Sequence, residues 1–179
     1  FDTKGLPVVY PFGYGLSYTT FDYSNLNTDK ETYDQADTIQ ATFTLTNTGD
    51  REGAEVAQLY VSDPVCSVMR PVKELKGFKK VFLKAGESAE IALELDDRAF
   101  AYWSEKFNDW HVEAGEYTVE VGTSSRDIAA VAVVTLDGDG KAQPLTEWSN
   151  FMEWRKDPLG SKVLEILRAE GEAGRMPVV

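Results

Sequence analysis

Residues 38–46 place Ile39, Ala41, Phe43 and Leu45 at alternate positions, with Gln40, Thr42, Thr44 and Thr46 between them. A strand turns successive side chains to opposite faces, so this stretch has one apolar and one wet side; a helix would scatter the same residues around its axis. The alternation recurs at Ile91, Leu93 and Leu95, separated by Ala92 and Glu94, and at Tyr117, Val119 and Val121, separated by Thr118 and Glu120. Further strands are predicted over residues 21–26, 56–62, 79–83, 89–95, 102–112, 117–122 and 129–136. Turn residues punctuate them at Asn47-Thr48-Gly49-Asp50, Asp63-Pro64, Ala85-Gly86-Glu87 and Ala114-Gly115-Glu116.

About seven short antiparallel strands, with no long helical period between them, point to an all-β, two-sheet sandwich of the immunoglobulin or fibronectin type III kind. The sandwich is expected over residues 21–136. Residues 1–20, rich in Gly, Pro and Tyr and without a sustained period, read as an extended connector with tight turns at Pro11, Gly13 and Gly15. Residues 137–179 read as an extension with one or two short helices. Thr146 caps the first, which runs to Trp154; the second covers residues 159–169, gathers Leu159, Val163, Ile166 and Leu167 near one face, and stops at Gly171 and Gly174.

Charge and cysteine content narrow the partners. Lys and Arg total 18 against 30 Asp and Glu, a net charge of -12, so neither nucleic acid nor an anionic membrane is an expected partner. Cys66 is the single cysteine, which rules out a disulfide within the chain and a multi-cysteine zinc site. That fits a reducing cytoplasm, favoured here over secretion. No apolar run approaches the length of a membrane span, and the first residues, Phe1-Asp2-Thr3-Lys4-Gly5, read as a cut inside a longer polypeptide.

Candidate chemistry is sparse. Hydrolysis by a pair of acids needs two carboxyl groups about 5 Å apart across a substrate pocket. The adjacent Asp96 and Asp97 would point to opposite faces of a strand, and are assigned to capping a turn at Asp97-Arg98-Ala99. His111, the only histidine, is expected at a strand surface or edge, so no nucleophile relay is assigned to it. Asp137-Gly138-Asp139-Gly140 has the oxygen-rich look of a calcium loop but lacks the downstream acidic ligand, and Asp-Gly pairs are also ordinary turn residues. Gly13-Tyr14-Gly15 lacks the third glycine and following helix of a nucleotide fingerprint. No catalytic, cofactor or metal residue is assigned. Tyr102, Trp103 and Trp110 remain as an alternative platform on which sugar rings can stack.

Four stretches in register carry a resemblance. Pro11-Phe12-Gly13-Tyr14-Gly15-Leu16-Ser17-Tyr18-Thr19-Thr20-Phe21 resembles the segment that joins the α/β sandwich of family 3 glycoside hydrolases to their fibronectin type III-like domain. Asn47-Thr48-Gly49 with Glu55-Val56-Ala57-Gln58-Leu59-Tyr60-Val61, then Arg70-Pro71-Val72-Lys73-Glu74-Leu75-Lys76-Gly77-Phe78, then Gly115-Glu116-Tyr117-Thr118-Val119-Glu120-Val121-Gly122 are similar to that domain in the same order. Pro144-Leu145-Thr146 and Asp157-Pro158-Leu159-Gly160 look like the helical extension of some bacterial members.

The resemblance implies that the nucleophilic Asp lies in an N-terminal barrel and the acid/base residue in the following α/β domain, both outside this chain. The chain is then expected to be a bacterial, C-terminal, non-catalytic scaffold of a β-glucosidase-type parent, with the catalytic domains of the same polypeptide as its partner. The expected contact surface is Tyr10, Phe12, Tyr14 and Tyr18 of the connector, with Arg70, Pro71, Lys73, Leu75 and Phe78 of the following motif. Two alternatives stay open: a carbohydrate-binding module on Trp103 and Trp110, and an immunoglobulin-like adhesion or oligomerisation module. The sequence leaves the oligomeric state open.

Overall fold

The structure is a computed structural model that describes residues 2–34, 37–141 and 158–172. The chain divides into two units, Phe1–Tyr102 with Trp110–Gly140, and Trp103–Asp109 with Lys141–Val179. The first unit holds two sheets. One orders β1 (Phe21–Thr28), β3 (Ile39–Asn47) and β6 (Ser88–Leu95) side by side; the other runs β2 (Thr32–Tyr33), β10 (Asp127–Leu136), β9 (Gly115–Ser124), β4 (Gly53–Ser62) and β5 (Glu74–Leu83). All pairs are antiparallel except the short β2 against β10. This is the fibronectin type III-like sandwich that the alternation implies.

In β3, Ile39, Ala41, Phe43 and Leu45 are buried and the residues between them are not, as the period dictates. Phe43 lies opposite Ile91 of β6 in register and stacks on Tyr23 of β1 with ring centroids 5.9 Å apart. Leu59, Tyr117, Val119, Val121, Val134 and Leu136 of the second sheet complete the same cluster. β1 carries a bulge between Ser24 and Asn27, with Asn25 at φ 54, a left-handed conformation that Asn tolerates better than most residues.

Three strand expectations change. β5 begins at Glu74, five residues before the predicted start, because Glu74, Leu75 and Gly77 pair with Val61, Tyr60 and Leu59 of β4. The single strand expected over residues 102–112 is two short paired strands, β7 (Tyr102–Ser104) and β8 (Asp109–His111), joined by a turn in which Asn108 takes φ 49. β4 does not alternate wet and dry: Ala57 to Val61 are all buried, because its outer face is covered too.

Asp96 caps the one-turn helix α1 (Asp97–Phe100), its Oδ1 accepting from Ala99 N at 3.1 Å. His111 is not at the surface: its ring is buried and Nδ1 lies 2.8 Å from Asp139 Oδ2, whose carboxylate also accepts from Val112 N at 3.3 Å. The Asp137-Gly138-Asp139-Gly140 turn, with both glycines at positive φ, thus aims Asp139 inward. In the second unit, α2 (Pro158–Glu172) spans the predicted second helix. The helix expected from Thr146 to Trp154 lies outside the described residues.

Candidate domain interface

The connector is fixed to the sandwich through backbone and polar groups rather than through its aromatic rings. Gly13, at φ +81, packs against β4 so closely that a Cβ there would stand 1.9 Å from Gln58 Oε1. Gln58 Nε2 donates to Gly13 O at 2.9 Å and to Thr123 O at 2.5 Å, and Tyr60 Oη donates to Gln58 Oε1 at 2.5 Å. Ser125 N donates to Phe12 O at 2.9 Å, closing the next link to the β9–β10 turn. This bracing explains why Gln58 and Tyr60, on the nominally wet face of β4, are buried.

Asn47 holds the far end. Its side chain is fully buried: Nδ2 donates to Arg51 O at 2.8 Å and Leu83 O at 3.1 Å, and Oδ1 accepts from Thr19 Oγ1 at 2.7 Å and Gly49 N at 3.1 Å. One amide therefore ties the connector to two turns with every hydrogen-bonding position used.

With its polar groups spent on anchoring, the connector turns its apolar side chains outward. Leu16 is 88% exposed and Tyr18 94%, with Tyr10, Phe12 and Tyr14 also exposed. Phe78 of β5 is 68% exposed and joins Phe12, Tyr14, Leu16, Phe21, Val56 and Leu75 in lining a groove of 560 Å³. Glu55 and Asp127 also line it. Burial pushes the Glu55 carboxyl above its ordinary range, with the Asp127 charge adding to the effect. The exposed connector side chains and this groove thus form a largely apolar surface interrupted by two carboxylates.

The second expected contact stretch is built differently. Arg70 is only 8% exposed; Nε and Nη2 donate to Glu74 Oε1 at 3.1 and 2.9 Å, Nη1 donates to Phe100 O at 2.9 Å, and Asp63 Oδ2 lies 3.6 Å away. Lys73 pairs with Glu120, Leu75 is half-buried, and Pro71 and Phe78 are exposed. Arg70 and Lys73 thus spend their charges inside the domain. Burial alone would raise the Glu74 carboxyl, but hydrogen bonds and charge from Lys76 and Arg70 outweigh it and hold the group below its usual value.

Trp103 and Trp110 lie on the paired strands β7 and β8 and are partly exposed. Arg98 sits 3.5 Å from the centroid of the Trp110 ring, covering one face. Tyr102 packs edge-on to His111, carries Arg70 over its ring at 5.7 Å, and donates from Oη to Glu113 Oε1 at 3.0 Å. A sugar stacking on Trp110 from that side would have to displace Arg98. The anchors Gln58 and Asn47 carried no functional assignment in the sequence; the available signal for Gln58 was a lone amide in the run Ala57-Gln58-Leu59-Tyr60-Val61.

Comparison with known proteins decides the family. A family model described as a fibronectin type III-like domain matches residues 55–125. An exo-α-(1→6)-L-arabinopyranosidase of Bifidobacterium longum is 57% identical over 98% of this chain, which spans 23% of that protein. A crystal structure of a family 3 β-glucosidase from Bifidobacterium adolescentis superposes with TM-score 0.81 at 66% identity, covering 91% of this chain and 24% of that one.

The chain belongs to the fibronectin type III-like domains of family 3 glycoside hydrolases.

A thermostable β-glucosidase B of Acetivibrio thermocellus is 49% identical over 72% of the chain, again with only 17% of the relative covered. The chain thus spans about a quarter or less of these relatives, and what it matches is the fibronectin type III-like, non-catalytic part.

Proposed function

We propose that this domain acts as a structural element of a family 3 glycoside hydrolase of the β-glucosidase type, packing on the catalytic domains of the same polypeptide and holding their orientation. The observation that carries this reading is the connector: pinned at Gly13, Phe12 and Thr19 by hydrogen bonds or close backbone packing, it presents Tyr10, Phe12, Tyr14, Leu16 and Tyr18 away from the sandwich. A rigid strip of exposed aromatic side chains suits a partner that is always present, since ordering it costs no further entropy. Active-site geometry is steep in position, so a support that shifts by about 1 Å can cost about 100-fold in rate. Deleting residues 1–141 from the parent is expected to leave it insoluble or with activity lowered by about 100-fold or more; an unchanged kcat and thermal stability would refute the role.

On sugar, the β-glucosidase reading implies a parent that removes terminal non-reducing β-D-glucosyl residues. The arabinopyranosidase relative, matching nearly the whole chain, supports a second reading in which the parent takes an α-L-arabinopyranosyl residue. Side-by-side rates of the parent on aryl β-D-glucopyranoside and aryl α-L-arabinopyranoside separate the two.

A further inference from the structure

The groove of 560 Å³ formed by the connector, β4 and β5 is walled largely by apolar side chains, Tyr14, Phe21 and Phe78 among them, yet Glu55 and Asp127 also line it. Neither carboxylate makes an ion pair with any described residue. Glu55, half-buried, accepts from Tyr23 Oη at 3.2 Å, and Asp127 Oδ2 accepts from Thr123 Oγ1 at 2.6 Å. Burial and the Glu55 charge hold the Tyr23 hydroxyl well above the usual phenol range, so it donates a hydrogen bond and leaves the charge in place. Elsewhere the fold provides for its part-buried acids. Glu74 has Lys76 and Arg70, Glu120 has Lys73, Asp63 has Arg70, and Glu113 accepts from Ser67 N, Ser67 Oγ and Tyr102 Oη. Glu55 carries a charge that burial and Asp127 both oppose. In an apolar groove such a charge is a cost to the domain alone, and becomes a gain once a cation arrives.

Given the scaffolding role proposed above, on which this step rests, we infer that the groove receives an arginine side chain from the catalytic part of the same polypeptide, its guanidinium meeting Glu55 and Asp127 while its stem lies against the apolar walls. The chain spans 23% and 24% of two relatives that match nearly all of it, so the larger part of such a polypeptide lies outside this domain and is present at high effective concentration. A second copy of this chain complements the groove poorly, because it brings a net charge of -12 of its own. Arginine suits the place better than lysine. Its guanidinium is planar and weakly hydrated, can serve two carboxylates at once, and stacks on rings such as those of Tyr14, Phe21 and Phe78. A neutral or acidic segment entering here would bury carboxylate charge without a partner.

The test compares the two carboxyls in the chain alone and in the parent enzyme. With a water-soluble carbodiimide and an amine reagent, read by peptide mass mapping, Glu55 and Asp127 are expected to be labelled at least about tenfold more slowly in the parent, since a filled interface excludes water and reagent. The paired substitution Glu55→Gln with Asp127→Asn keeps both hydrogen-bond acceptors and removes only the charge. It is expected to raise the melting temperature of the chain alone and to lower that of the parent, a reversal of sign that a role in the domain's own fold would not give. Equal labelling in chain and parent overturns the inference and removes the groove from the docking surface. Slow labelling in a parent whose melting temperature the paired substitution does not lower overturns the arginine, but leaves the scaffolding role standing on apolar contact. A fall of melting temperature in both proteins assigns the charges to the domain itself, and labelling that slows as the chain alone is concentrated puts a second copy in the groove; each of these also overturns the inference.

Discussion

The connector and the Arg70 stretch were both expected to face a partner, yet the fold uses them in opposite ways. The connector has few charges, so its backbone and small polar groups do the anchoring and its rings are left outside. Residues 70–76 carry Arg70, Lys73, Glu74 and Lys76, and these find one another and Glu120 before any outside partner. A buried guanidinium needs its counter-charges close at hand, whereas an exposed ring costs little until a complementary surface arrives. The difference sets the Arg70 stretch to work on the domain's own stability, and leaves the connector's rings free for the attachment proposed above.

The largest expected effect comes from breaking the inward-facing network. Arg70→Ala leaves Asp63 without its cation and Glu74 with Lys76 alone, and is expected to lower the unfolding free energy of the chain by about 3 kcal/mol, read by urea denaturation. Asn47→Ala removes the amide that links the connector to two turns and is expected to cost about 2–3 kcal/mol, since Leu83 O loses its donor in a buried site. Gly13→Ala introduces a side chain at positive φ against Gln58 and is expected to cost about 1–3 kcal/mol, with loss of amide protection at Ser125, whose N–H bonds to Phe12 O.

Acid sharpens the same contrast. Glu74 is held below its ordinary carboxylate range despite burial, by Lys76 and Arg70, and Glu113 is likewise held down by Ser67 and Tyr102 against the effect of burial. A depressed folded value means that each stabilises the fold above the unfolded value near pH 4.3 and loses that contribution as pH falls through the lower folded value. Stability is expected to drop between about pH 5 and pH 3, and to drop less in Glu74→Gln. Glu55, raised by burial in the connector groove, has the opposite sign: its ionised form opposes folding, so Glu55→Gln is expected to raise the melting temperature slightly at neutral pH.

Much of this architecture is legible in the residues themselves. The alternation in β3, β6 and β9 gives both the strands and their buried faces, because one-sided burial leaves a period of two in the sequence. Asp96 as a cap is equally local. The misread burial of β4 and of His111 has one physical cause, cover supplied by distant chain, whereas the break in residues 102–112 is a local turn at Asn108. Gln58 and Tyr60 are covered by a connector far away in sequence, and His111 is covered by Asp139 from the turn that follows β10. A period of two reports which face a residue occupies and is silent on what lies over it. The Arg70 motif marks the family, but only the positions of Glu74, Asp63 and Phe100 O reveal which way its guanidinium points.

The most direct test replaces Tyr10, Phe12, Tyr14 and Tyr18 together by Ser and measures two things: the melting temperature of this chain alone, and kcat/KM of the parent enzyme. Exposed side chains contribute within about 0.5 kcal/mol each to the isolated fold, so its melting temperature is expected to move by a few degrees at most, while the parent loses about 100-fold in kcat/KM or fails to assemble in active form. A parent that keeps its full rate and stability with all four rings removed contradicts the attachment surface, and with it the scaffolding role.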